Sequence, residues 1–107
     1  MYRMATFGDF NPALTKAIRA LVSTSSSKVR FLVHAEDEMA NDGFDHTQVL
    51  MCLRKGRAHG PEHRGGDLRA NMLHSGLHVR VVVGGLGGYE EDWTKLASVK
   101  VVTVMRI

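Results

Sequence analysis

Leu14, Ile18, Leu21 and Val22 recur at i, i+4, i+7 and i+8, which puts them on one face of a helix. Asn11 is suited to cap that helix and Pro12 to occupy its first position, so the pattern predicts a helix from Pro12 to about Val22. The serine-rich residues 23–27 end it, because short hydroxyl side chains compete with the helix for backbone hydrogen bonds. Residues 29–33 then form a short apolar run of β type. In the HAEDEMAND stretch that follows, Ala35 and Met39 stand four apart and acidic side chains fill the first turn, where they complement the helix dipole. Gly43 stops this second helix. Asp45 with Gln48 has the form of a capping box, and His46, Val49, Leu50 and Leu53 continue as a helical stripe to Gly56, giving a third helix over residues 45–55.

Beyond Gly56 the period becomes two. Leu68, Ala70 and Met72 alternate with Arg69, Asn71 and Leu73. Ser75-Gly76 reads as a two-residue turn, and Leu77, Val79, Val81 and Val83 alternate with His78, Arg80 and Val82. A hairpin is predicted, followed by a glycine-rich, acidic loop, GGLGGYEEDWTK. The last strand, over residues 99–107, carries VVTV and suits a central position with both faces covered. The pattern is an α+β domain, with two or three helices packed on one face of a three- to four-stranded, mostly antiparallel sheet.

With 107 residues the chain has room for one hydrophobic core. Its composition, 44% hydrophobic and 23% charged, excludes a disordered chain. Fourteen Lys and Arg against eleven Asp and Glu give +3, a mild bias that does not by itself mark a nucleic-acid binder. A single cysteine, Cys52, rules out an internal disulfide. MYRMATFGDF lacks an apolar stretch of signal-peptide length, and no run approaches the ~18 apolar residues of a membrane span. A cytoplasmic location with no membrane partner is the expectation.

The stretch from about Val29 to Ile107 resembles a bacterial family, domain of unknown function 4258. The resemblance rests on His34-Ala35, Met39, Gly43-Phe44, the helix from Val49 to Gly56, the hairpin from Leu68 to Val83, and Val101-Val102-Thr103-Val104. Such proteins look related in architecture to the RelE and BrnT toxins, small ribonucleases encoded beside an antitoxin. The resemblance implies a RelE/BrnT-like α+β core over residues 28–107, with residues 1–27 as an N-terminal helical extension. It implies a toxin-like domain acting on RNA, as a metal-independent ribonuclease that needs no cofactor, with RNA and an antitoxin or other protein as partners.

That chemistry needs a proton acceptor for the 2′-hydroxyl, a proton donor for the leaving oxygen, and cations for the charged phosphorane. Histidine and arginine suit these roles. A turn at Ser75-Gly76 sets His78 opposite Leu73 and Arg80 opposite Asn71, so Arg69, Asn71, His78 and Arg80 share one face while Met72, Val79 and Val81 point to the other. His34, His78 and Arg80 are the candidate catalytic residues, and Arg69 and Asn71 the candidate RNA contacts. The competing reading of that face is the solvated side of a one-sided sheet, and that of His34 is a residue that merely starts a helix. Glu38 and Asp42 stand where the family carries arginines, which favours an alternative function: a non-catalytic protein-binding module that keeps the fold.

Other candidates carry less. His59/His63 and His74/His78 have i, i+4 spacing, but neither pair reads as helical, so no metal site is expected. GGLGG matches no phosphate-loop pattern and is followed by YEEDW in place of a helix. Cys52, beside the Val49-Leu53 face, reads as a small packing residue. Tyr89 and Trp93 in the acidic loop suit either partner contact or the commoner role of half-buried loop anchors, and no role is assigned to them.

Overall fold

The structure is a computed structural model that describes residues 8–107. The MYRMATF stretch read above for a leader lies outside the described residues. The fold is α+β: three helices and one five-stranded mixed sheet. Helix α1 spans Pro12–Thr24, α2 Val33–Asp42 and α3 His46–Lys55. The strands are β1 Val29–Phe31, β2 Arg57–Arg64, β3 Asp67–His74, β4 Val79–Gly84 and β5 Val99–Arg106, in the order β1-β5-β4-β3-β2. β1 runs parallel to β5, and every other pairing is antiparallel.

The helix boundaries follow the cap chemistry. The Asn11 side chain accepts the Leu14 amide, and Pro12 opens α1. Gly43 ends α2 in the left-handed conformation, at φ 75°. Asp45 and Gln48 close a reciprocal capping box on α3, with both hydrogen bonds 2.8 Å. Val33 opens α2 and does not continue β1, which stops at Phe31.

A fifth strand corrects the expected three or four. β2 was hidden in HGPEHRGGD, which reads as a loop because it holds Pro61 and alternates only weakly. It lies at the end of the strand order, where a proline is tolerated. Gly65 and Gly66, both with positive φ, make the two-residue turn joining Arg64 to its partner Asp67. β5 takes the interior position expected of it, between β1 and β4, but the helices cover only one of its two faces.

One face of the sheet meets the helices. Ala58, Ala70, Met72, Val79, Val81, Val83, Val101 and Val104 are buried there with Val49, Cys52 and Leu53 of α3 and Ala35 and Met39 of α2. Leu14, Ile18 and Val22 of α1 belong to the same buried cluster, and the Thr15 hydroxyl of α1 accepts the Ala58 amide of β2 at 2.8 Å. Arg19 donates to the carbonyls of Lys55 and Gly56 at the end of α3. The division expected at residue 27 is therefore not a break in the packing. The apolar stripe of α1 is buried against the sheet and α3.

Candidate nucleic-acid interface

The other face of the sheet carries the residues singled out from sequence. β3 and β4 pair with Leu73 opposite Arg80, Met72 opposite Val81 and Asn71 opposite Val82. Expectation had set Arg80 opposite Asn71. The actual register slides by two residues, and because side chains alternate with period two, the slide leaves the residues that remain in the strands on their predicted faces. Arg69, Asn71 and Arg80 do share a face, and Arg80 Nε donates to Asn71 Oδ1 at 2.9 Å. Asn71 is only 8% exposed, so this part of the face is not the bare solvated surface of the competing reading, and both residues are engaged.

The slide comes from a longer turn. Residues 75–78 all lie in it, closed by the Leu77 amide on His74 Nδ1 at 3.1 Å and the His78 amide on the Ser75 carbonyl at 3.2 Å. His78 has φ 52° and is exposed in the turn; it does not pair with Leu73 as a strand residue.

His34 is placed elsewhere. It sits in the first turn of α2 with its side chain 71% exposed, and its Nε2 lies 3.4 Å from Glu38 Oε2 one turn on. Glu38 in turn accepts the Val104 amide at 3.0 Å, on the stretch of β5 that runs past the end of β1. His34 makes no hydrogen bond or ion pair to Arg69, Asn71 or Arg80 among the described residues. The backbone carbonyl of Asp42 accepts from Arg106 at 2.6 Å. The Glu38 carboxylate and the Asp42 backbone carbonyl thus both tie α2 to β5.

The histidine that does lie on the open face is His59, opposite Asn71 on β2. Its Nδ1 faces the Gly8 carbonyl at 3.3 Å, and its ring lies 5.8 Å from that of Phe10. From sequence His59 falls in a loop, because Pro61 and the weak alternation around it hide β2. Phe10 bridges to His59 beyond β2, held by the Asn11 amide on the Ala58 carbonyl and the Gly60 amide on the Asp9 carbonyl. The Arg57 guanidinium stands 5.3 Å above the Phe10 ring, within cation–π reach. Phe10, Lys16, Arg19 and Arg57 line a groove of about 520 Å³ that has no carboxylate among its lining residues.

Charges cross the open face in a row. Pairing sets Arg30 of β1 beside Lys100 of β5, Lys100 beside Gly84 of β4, and Arg69 of β3 beside Glu62 of β2. Asp67 fills the gap above Gly84. Its carboxylate accepts Arg69 Nε at 3.0 Å and the Gly85 amide at 3.0 Å, and lies 3.4 Å from Lys100 Nζ. A side chain on Gly84 would collide with Asp67 Oδ2 and meet Lys100 Cε at 3.0 Å, so the missing Cβ lets the carboxylate cross the strand. Partial desolvation pushes the Asp67 carboxyl up, but the bonds from Arg69 and Gly85 and the charge of Lys100 outweigh it and hold its pKa below the ordinary 3.8.

Cys52 offers no nucleophile. It is buried, its Sγ faces the Met72 carbonyl at 3.5 Å, and desolvation pushes its pKa up to about 12. Among the described residues, no group of three or more His, Cys, Asp or Glu is arranged to hold a metal ion, and no helix is long and apolar enough to cross a membrane. Comparison with family models, with curated proteins and with solved structures finds no match.

Proposed function

We propose that the protein is a cytoplasmic RNA-binding protein that holds single-stranded RNA on the open face of its sheet and does not cleave it. One observation carries the reading: each of the five strands contributes a cation to that face, Arg30, Lys100, Arg80, Arg69 and Arg57. The carboxylates on the face are already engaged, Asp67 with Arg69 and Lys100, and Glu62 with Arg64 at 3.0 Å. Cations spread over a surface suit a polyanion, whose phosphates they neutralise in exchange for released counterions. Phe10, 45% exposed beside His59, adds a ring on which an unpaired base can stack at the β2 rim.

Binding is favoured over cleavage because the proton-transfer partners do not converge. Cleavage by the toxin-like route requires both a base and an acid near the arginines. His34 is tied to Glu38 on α2 and His78 is in a turn, which leaves His59 on the face without a second histidine beside it. The alternative, a protein-binding module, has a groove of about 630 Å³ in its favour, between α1 and residues 91–97. Leu21, Trp93 and Leu96 line it, together with Lys16, Lys28, Glu91 and Asp92.

Fluorescence anisotropy of a labelled single-stranded RNA, titrated across salt concentrations and followed by a gel of the same RNA, tests the reading. Affinity should fall steeply with salt, Arg57→Gln should lower the salt slope by about one phosphate contact, and the RNA should stay intact. Absence of binding at low salt would leave the protein-binding module as the better account. Cleavage by the wild type that His59→Ala abolishes would restore the ribonuclease.

A further inference from the structure

The charge row on the open face lacks a member at its β1 end. From β2 to β1 it reads Glu62, Arg69, Asp67 above Gly84, Lys100, Arg30, with signs that alternate until the last step. There two cations stand side by side in register on parallel strands. Like charges placed directly opposite on adjacent strands destabilise a sheet. Asp67 does not relieve them, because it already serves Arg69, the Gly85 amide and Lys100. Lys28, in the 3₁₀ turn Ser26–Lys28 that leads into β1, adds a third cation. Lys28, Arg30 and Lys100 line one cavity of about 390 Å³, together with Ser27, Ser98 and Gly85. Among the described residues, no carboxylate lies within ion-pair distance of Lys28 or Arg30.

We propose that this cavity binds a phosphate monoester, carried either on the end of an RNA strand or on a free nucleotide. Of the three cations only Lys100 meets a carboxylate, Asp67, which it shares with Arg69, so Lys28 and Arg30 leave at least two positive charges, which match the ~1.5–2 negative charges of a monoester near pH 7 better than the single charge of a chain phosphodiester. Arg30 supplies a planar fork for two phosphate oxygens, Lys28 and Lys100 supply compact charges, and the Ser27 and Ser98 hydroxyls can donate to the remaining oxygen. Only the RNA form of the ligand rests on the RNA-binding reading; the cavity's preference for a monoester does not.

Calorimetric titration of the full chain with AMP, adenosine and inorganic phosphate tests the site. AMP and phosphate should bind and adenosine should not. Arg30→Gln should weaken AMP about 10-fold or more, the loss expected for a charge-assisted contact. The Arg30 side chain is exposed and makes no described hydrogen bond, and the strand pairing of its backbone is untouched by the change, so the variant keeps the fold, and Lys28→Gln provides a second one. Lys55→Gln, at the exposed end of α3, should leave AMP affinity unchanged. Equal binding of AMP and adenosine, or wild-type AMP affinity in both the Arg30 and Lys28 variants, would overturn the proposal. The carrier is identified with two oligonucleotides of one sequence: tighter binding of the 5′-phosphorylated form, lost in Arg30→Gln, assigns the RNA end. Arg30-dependent AMP binding with no oligonucleotide binding assigns the free nucleotide, upholding the site while refuting the RNA interface.

Discussion

Replacing Gly84 by alanine tests the charge row through a single methyl group. The added Cβ runs into Asp67 Oδ2 and presses on Lys100 Cε, so the carboxylate has to move. Asp67 then gives up at least one of its partners: Arg69 at 3.0 Å, the Gly85 amide at 3.0 Å or Lys100 at 3.4 Å. A hydrogen bond to a charged group contributes ~1.5–3 kcal/mol. Screening takes little from this one, since the Asp67 side chain is only 16% exposed. Against the loss stands the ~0.4–1 kcal/mol that alanine returns by restricting the unfolded chain, available because Gly84 is not in the left-handed region. The net cost is about 1–2 kcal/mol.

The pH dependence identifies the cause. Asp67 titrates lower in the folded chain than its ordinary 3.8, so its bonds stabilise the fold above that value and are lost as pH falls through the lower, folded pKa. Urea unfolding of wild type and Gly84→Ala should therefore show a gap at pH 7 that closes as the pH drops below 3.8. A variant as stable as wild type at pH 7, or a gap that persists unchanged to pH 2, would refute the account of Gly84 as the space through which Asp67 reaches Lys100.

Other expectations follow from burial and placement. Ile18→Ala should lower stability by ~2–5 kcal/mol in the same urea assay, because Ile18 is fully buried in the common core; a midpoint near wild type would return α1 to the status of an extension. Cys52, with its pKa raised to about 12, should resist a thiol reagent at pH 8 in the folded protein and react only on unfolding; fast native labelling would show that α3 opens. His34→Asn should leave RNA affinity unchanged, and a loss of tenfold or more would bring α2 into the interface.

How far the sequence carries can be traced through individual residues. Local chemistry was legible wherever it determines itself: Asn11-Pro12, Gly43 and the Asp45–Gln48 box fix helix ends through bonds that span only a few residues. β2 was not legible, because its sequence satisfies no period. Its pairing is supplied by β3, and its only strong local signal is the Gly65-Gly66 turn that joins the two strands. The placement of α1 was likewise invisible. An apolar stripe announces that it will be buried but not against what, and the Thr15–Ala58 and Arg19–Gly56 bonds that locate it connect residues about forty positions apart.

The candidate site shows the same division with a different outcome. The turn was misread, yet Arg69, Asn71 and Arg80 still fall on one face, because a slide of two residues preserves the alternation that a slide of one would invert. Face membership is thus more robust than register. His34 and His78 were lost from the site for reasons outside strand parity: one depends on how α2 docks on β5, the other on turn length. Arg30 and Lys100 lie seventy residues apart and become neighbours only through the parallel pairing of β1 with β5. No periodicity within either strand could have announced that pair. Its like charges sit side by side, and among the described residues no carboxylate lies within ion-pair distance of Arg30, while Asp67 reaches only Lys100, which is why the proposed phosphate site is placed there.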